Sequence, residues 1–209
     1  MQVYKFGGAS IKNTEGIKNV TQIIQAYGTN NLLVVVSAMD KTTDRLQELA
    51  FAHINGDDNK HQLLEDIKSF HFDIISKLFT DTQNPVYNDV ANTFVEIEWL
   101  LEEEAEDSAD YLYDQIVSVG ELVSSKIIAA YLNQQGTFTI WQDARNYIQT
   151  DNNYREANVQ WDKTTATIQK QLPSYLSQGV VITQGFIGAT SENFTSTLGR
   201  EGSDYTAAI

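Results

Sequence analysis

The chain opens on an apolar-alternating run that ends at Phe6 and breaks at Gly7-Gly8. After Asn13-Thr14 it resumes with Ile17, Val20 and Ile24 at helical spacing, which predicts strand, glycine turn and helix. Leu32-Leu33-Val34-Val35-Val36 follows, too short for a helix and of the kind buried on both faces of a parallel sheet. Strand, helix and strand make a βαβ unit, so an α/β fold is favoured from this opening segment alone. From about Asp44 to Gln135 glycine becomes sparse. Leu46, Leu49 and Ala50, then Leu63, Leu64 and Ile67, then Phe94, Ile97, Leu100 and Leu101 recur with helical period, so this subregion is mainly helical. Turns are expected at Asn55–Asn59 and at Asn84-Pro85. Thr137–Trp141 returns to strand character, Trp161–Leu176 predicts a helix, and Val180–Thr183 predicts a buried strand running into Gly185. Gly185–Gly202 reads as a glycine-rich tail and Ser203–Ile209 as the first turn of a helix, so the chain is expected to be part of a longer protein.

Composition narrows the class. With 209 residues, 42% of them hydrophobic and 11% aromatic, the chain can bury enough surface to fold. Lys plus Arg number 14 against 28 Asp plus Glu, a formal charge of −14, which excludes a broad nucleic-acid surface or a polybasic membrane contact. Anionic partners then require a locally positive pocket. Cysteine is absent, so neither a disulfide framework nor a thiolate metal site can form. No leader is evident and no apolar run approaches the ~18 residues of a membrane span, so a cytoplasmic protein is expected, neither exported nor embedded.

Four clusters could carry chemistry. Lys5-Phe6-Gly7-Gly8-Ala9-Ser10 puts a cation at a strand end and two glycines in the turn after it, where backbone N–H groups can converge on an anion. It matches neither the Walker loop nor the dinucleotide turn, and a Gly-Gly turn is also an ordinary tight connection. Thr197–Asp204 again opens a helix through glycine turns, with Arg200 inside the turn. An arginine fork there could hold a carboxylate, or Ser203 or Asp204 could simply cap the helix. Ser37–Thr43 follows the second strand, at the carboxyl edge of the sheet where ligands of open α/β folds collect, although Ser and Thr are also common turn residues. Val117-Ser118-Val119-Gly120-Glu121 sets a carboxylate at a helix start, able to pair with a ligand ammonium or merely to compensate the helix dipole. The acidic run Glu102, Glu103, Glu104, Glu106, Asp107, Asp110 and Asp114 reads as a solvated helix end without chemistry. His53, His61 and His71 are dispersed, so a histidine metal site or a Ser-His-Asp triad is unsupported. Two cations and two glycine turns fit transfer of a phosphoryl group between anions.

Taken together and in order, Lys-Phe-Gly-Gly-x-Ser at 5–10, Val-Val-Ser-Ala-Met at 35–39, Val-Ser-x-Gly-Glu at 117–121 and Leu-Gly-Arg-x-Gly-Ser-Asp-Tyr at 198–205 resemble the aspartokinases of the amino-acid kinase family. Asp143-Ala144-Arg145 with Thr150-Asp151, and Gln184–Gly188, are similar to that family's intervening segments, so the likeness runs along the whole chain. The resemblance implies a three-layer αβα sandwich around a mostly parallel sheet (carbamate kinase-like). It implies ATP-dependent phosphorylation, with Mg²⁺, of the L-aspartate side-chain carboxylate to 4-phospho-L-aspartate, the first step toward lysine, threonine and methionine. Lys5 and Asp204 would be catalytic, Lys5 on the transferring phosphoryl group and Asp204 orienting it, while Gly7 and Gly8 donate N–H bonds to phosphate oxygens. Arg200 would clamp the substrate α-carboxylate and Glu121 its α-ammonium, with Ser37, Thr43, Glu201, Gly202 and Ser203 completing the substrate pocket. No residue is assigned to a metal.

Like-charged reactants cost about 4 kcal/mol per unit pair at ~4 Å and an effective dielectric near 20, which is why cations are needed on both. Three positions depart from the family pattern: Ala9 for threonine, Asp40-Lys41 for a glycine-containing pair, and Glu201 for glycine, where a carboxylate could compete for Arg200. The resemblance further implies that residues 1–209 are the substrate-binding portion, that the nucleotide-binding half and regulatory ACT domains are absent, and that this piece alone is inactive. An incomplete sheet would leave an edge or apolar face open to homodimerisation. The alternatives are a non-catalytic amino-acid-binding module and a kinase of another amino acid such as glutamate.

Overall fold

The computed structural model describes residues 1–209. Strand β1 (Gln2–Phe6) leads through a 3-10 turn into α1 (Thr14–Tyr27) and then β2 (Leu32–Val36). The α1 start is fixed by Asn13, whose side chain accepts the Gly16 N–H at 2.9 Å, and the helix buries Ile17, Val20, Thr21 and Ile24, one face at i, i+3, i+4 and i+7. Five helices follow without an intervening strand: α2 (Thr42–Asn55), α3 (Lys60–Leu78), α4 (Val86–Glu102), α5 (Ala109–Val117) and α6 (Val119–Gln134). The predicted turn at Asn55–Asn59 is realised by Gly56, left-handed at φ 73°.

β3 (Thr139–Trp141), α7 (Trp161–Leu176) and β4 (Val180–Gln184) return the chain to the sheet. The order is β1-β2-β4-β3, every pairing parallel. A separate antiparallel hairpin, β5 (Ile187–Ala189) with β6 (Thr195–Thr197), precedes the last helix, α8 (Gly202–Ala208). That hairpin corrects the reading of Gly185–Gly202 as a glycine-rich tail; three-residue strands are too short to show a period-two pattern.

The three layers follow from strand alternation. Leu32, Val34, Val36, Val180 and Ile182 face α1, α3, α4 and α6 in one continuous core, and Val181 packs on the opposite face against Leu172 and Leu176 of α7 and Tyr147. The helices α5 and α6 run almost end to end as an apolar stretch from Ala109 to Gln134. It is long and apolar enough to cross a membrane, but 83% of its most apolar window is buried inside the protein, as in a core helix. His53 and His71 are buried packing residues, His71 pushed down to about 4 by burial, while His61 is exposed. The outer edge of β1 has no strand partner.

Helix α8 can dock only because residue 185 lacks a side chain. A Cβ there would lie 2.5 Å from Ser203 Cβ and 2.6 Å from Ser203 Cα, which are not flexible tips. Gly185→Ala should therefore lower the thermal midpoint by about 4–10 °C through overpacking, read by differential scanning calorimetry. An unchanged midpoint would mean that α8 is free to shift.

Candidate active site

The parallel order brings the carboxyl ends of β1, β2 and β4 side by side, the edge at which open α/β sheets place their ligands. A cavity of about 760 Å³ opens there. Lys5 enters it from the end of β1, Ser37 from the turn after β2, Thr43 from the first turn of α2 and Glu121 from the first turn of α6. Arg200, Glu201, Gly202, Ser203 and Asp204 close it from the turn into α8. The two cations expected from sequence therefore share one cavity.

Lys5 Nζ meets both oxygens of Asp204, at 3.0 and 3.1 Å, across 199 positions of sequence. Asp204 thus holds the lysine and does not cap α8, whose N-cap is Glu201 with no side-chain cap bond. Gly7 and Gly8 lie beside the cavity without lining it. A Cβ on Gly7 would stand 3.5 Å from Lys5 Nζ, and the Gly7 N–H donates to no loop or turn carbonyl. Gly8 has a packing reason as well, since a Cβ there would sit 2.5 Å from the Ala38 carbonyl.

Glu121 is the strongest electrostatic feature. It is 3% exposed; Oε1 accepts the Ala38 N–H at 3.2 Å and Oε2 has no partner. Burial pushes its carboxyl from 4.5 up to about 8, only partly offset by backbone hydrogen bonds. A buried carboxylate with one empty oxygen is suited to a cation, and a helix-dipole role alone does not explain that burial.

Asp114 corrects the reading of the acidic run as solvated. Residues 102–104, 106, 107 and 110 are exposed, yet Asp114 is fully buried. It accepts the Arg155 N–H at 2.9 Å, the Thr197 N–H at 2.8 Å and the Thr197 hydroxyl at 2.7 Å. Burial raises its carboxyl to about 6 against the pull of those bonds. It therefore ties α5 to both the Arg155 loop and the strand that leads into the Arg200 turn. The available signal was its place inside Leu112-Tyr113-Asp114-Gln115-Ile116-Val117, four residues after Asp110 and on the apolar side of α5. Tyr113, Arg155 and Glu156 also line the cavity and were not singled out from sequence, and Asp110, read there as part of a solvated acidic run, lines it too.

Two of the departures sit where glycine would be at ease: Asp40 at φ 49° and Glu201 at φ 58°. Glu201 makes no ion pair with Arg200, so the expected competition within the turn is not formed.

The amino acid kinase family matches residues 1–209, and the chain belongs to that family. Lysine-sensitive aspartokinase 3 of Escherichia coli (strain K12) is 32% identical over 207 residues, covering 99% of this chain and 45% of the relative. The chloroplastic bifunctional aspartokinase/homoserine dehydrogenase of Daucus carota is 27% identical, covering 99% of this chain and 23% of the relative. The crystal structure of E. coli aspartokinase III in complex with aspartate and ADP (R-state) superposes with a TM-score of 0.89 at 32% identity, over 99% of this chain and 45% of that one. The chain thus spans about half the length of the first of these relatives or less.

Two outcomes follow from the strain and the buried charge. Glu201→Gly should raise stability by ~1 kcal/mol, about 2–4 °C in the thermal midpoint, by relieving a left-handed non-glycine residue; a lower midpoint would contradict this. For Glu121, the folded state keeps a proton that the unfolded chain releases above pH ~4.5, so this residue costs stability as pH rises from about 4.5 to about 8. Glu121→Gln should accordingly be more stable than the parent at pH 8 and nearly equal to it at pH 5. A stability gap independent of pH would refute the assignment.

Proposed function

We propose that the chain is the substrate-binding portion of an ATP-dependent aspartate kinase, acting on the L-aspartate side-chain carboxylate in amino-acid biosynthesis. The observation that carries this reading is the buried, half-satisfied Glu121 in one cavity with Lys5 and Arg200. It is supported by a relative of the same fold whose crystal structure holds aspartate and ADP.

In this reading Glu121 takes the substrate ammonium on its empty oxygen and Arg200, which has no ion pair of its own, takes the α-carboxylate. The hydroxyls of Ser37 and Thr43 and the turn at Glu201, Gly202 and Ser203 complete the pocket. A side-chain carboxylate oxygen attacks the γ-phosphorus, the bond to ADP breaks, and an acyl phosphate forms. Lys5 meets the charge on the phosphoryl oxygens, held in place by Asp204, and the free N–H of Gly7, with that of Gly8, donates to the same oxygens. No residue of the chain is assigned to the Mg²⁺ that would accompany ATP, an ion usually held by one or two carboxylates together with the substrate phosphates.

The remaining nucleotide contacts and the ACT domains are assigned to sequence beyond these residues, so the 209-residue piece is inactive alone. A cytoplasmic location belongs to the same proposal, as does self-association through the open β1 edge.

Full-length protein supplied with aspartate and ATP should give an acyl phosphate trapped by hydroxylamine, and no product with any amino acid would refute the reading. Within it, Lys5→Ala should lower kcat on the order of 100-fold with little change in KM for aspartate, and Arg200→Ala should raise that KM on the order of tenfold. The opposite pattern would exchange the two roles.

A further inference from the structure

A third cation lines the same cavity. Arg155 lies in the loop before α7, and its backbone N–H is fixed on the buried Asp114 carboxylate at 2.9 Å. Its guanidinium carbon stands 4.3 Å from the centre of the Tyr113 ring, and one guanidinium nitrogen reaches Asp110 at 3.3 Å. The Arg155 side chain is 42% exposed and that of Asp110 60%, so the ion pair is a single, solvated contact that exchanges at small cost. Stacking on Tyr113 keeps the guanidinium plane in place whichever anion it meets.

The backbone at this position does not ask for arginine. Residue 155 has φ 69°, in the left-handed region where glycine is at ease and a long side chain is strained. Glycine would donate the same N–H to Asp114 without that cost. What arginine adds is a guanidinium at the cavity wall. Asp110, Glu121, Glu156, Glu201 and Asp204 outnumber Lys5, Arg155 and Arg200 there, so each cation matters to an incoming carboxylate.

Tyr113 locates that guanidinium within the cavity. Its ring lines the same cavity as Glu121 and Arg200, and the Arg155 guanidinium lies over that ring. Lys5 is already held by Asp204. Arg155 therefore shares one cavity with Glu121 and Arg200, the groups proposed to take the ammonium and the α-carboxylate, and in an α-amino acid these two are on the same carbon.

We propose that Arg155 is a second carboxylate-binding residue of the amino-acid pocket, releasing Asp110 to share the substrate α-carboxylate with Arg200 while remaining stacked on Tyr113. This rests on the reading that the pocket binds an amino acid, and it makes Asp110 a positioning residue that holds the guanidinium until substrate arrives.

The experiment is steady-state kinetics on the full-length enzyme, with 3-aminopropanoate as a competitive probe that keeps the ammonium and the distal carboxylate of aspartate but lacks the α-carboxylate. Arg155→Ala should raise the aspartate KM about tenfold with kcat changed less than about threefold, and Arg155→Lys should fall between it and the parent. Asp110→Asn should lower the KM by about two- to fivefold, because the competing carboxylate is gone. The inhibition constant of 3-aminopropanoate should be the same in the parent and in Arg155→Ala. An unchanged aspartate KM in Arg155→Ala, or a loss of 3-aminopropanoate binding as large as that of aspartate, overturns the proposal, the second because it marks a collapsed loop. Failure of the parent enzyme to turn over any amino acid would sink the pocket reading and this inference with it, whereas normal parent turnover with an unmoved KM sinks this inference alone.

Discussion

Keeping one carboxylate out of water is the condition on which the cavity depends. Glu121 sits in the first turn of a mostly buried helix beside the β2–α2 turn, whose Ala38 N–H is its one hydrogen-bond partner from another element. Such a group is held mostly as the neutral acid, and the fold tolerates it at a cost in stability. In the proposed reading a ligand ammonium would reverse that balance, because it would supply the opposite charge that the ionised form lacks. On that reading the cost of burying this carboxyl in the free form would be relieved on occupancy and would appear as affinity.

Around that group the fold supplies restraint at several levels. The parallel sheet brings three strand ends together, and the glycine at 185 lets α8 come close enough for Asp204 to reach Lys5. Asp114 adds a second tie, joining α5 to the Arg155 loop and to β6 through three hydrogen bonds. The cation-bearing walls at Lys5, Arg155 and Arg200 are thereby fixed relative to one another by buried or paired carboxylates. In a chain of charge −14, two of the three cations at this cavity are paired with a carboxylate, Lys5 with Asp204 and Arg155 with Asp110, and Arg200 is left unpaired.

Much of this was legible in the sequence. The βαβ opening, the mainly helical subregion and the helix Trp161–Leu176 were written in hydrophobic period, and the last of these forms at those residues despite Pro173. The motif residues at 5, 37, 43, 121 and 200–204 meet at one cavity because each follows a strand or opens a helix at the carboxyl edge of the sheet. What escaped was of two kinds. The β5–β6 hairpin is too short to carry a period. Asp114 looked like one more member of an acidic surface run, and its burial is decided by tertiary neighbours, Arg155 and Thr197, that lie 41 and 83 residues away. Arg155 was hidden for the same reason, since only packing shows that it stacks on Tyr113. For Glu201, the charge suggested competition with a substrate carboxylate for Arg200, but the two side chains form no ion pair.

The most direct measurement is the proton count on ligand binding. Aspartate titrated calorimetrically into the full-length protein at pH 7, in buffers of different ionisation enthalpy, should release close to one proton per site, as Glu121 ionises against the bound ammonium. The release should vanish in Glu121→Gln. Binding of normal strength in the parent protein with no proton released would show that Glu121 is not the group that receives the ammonium.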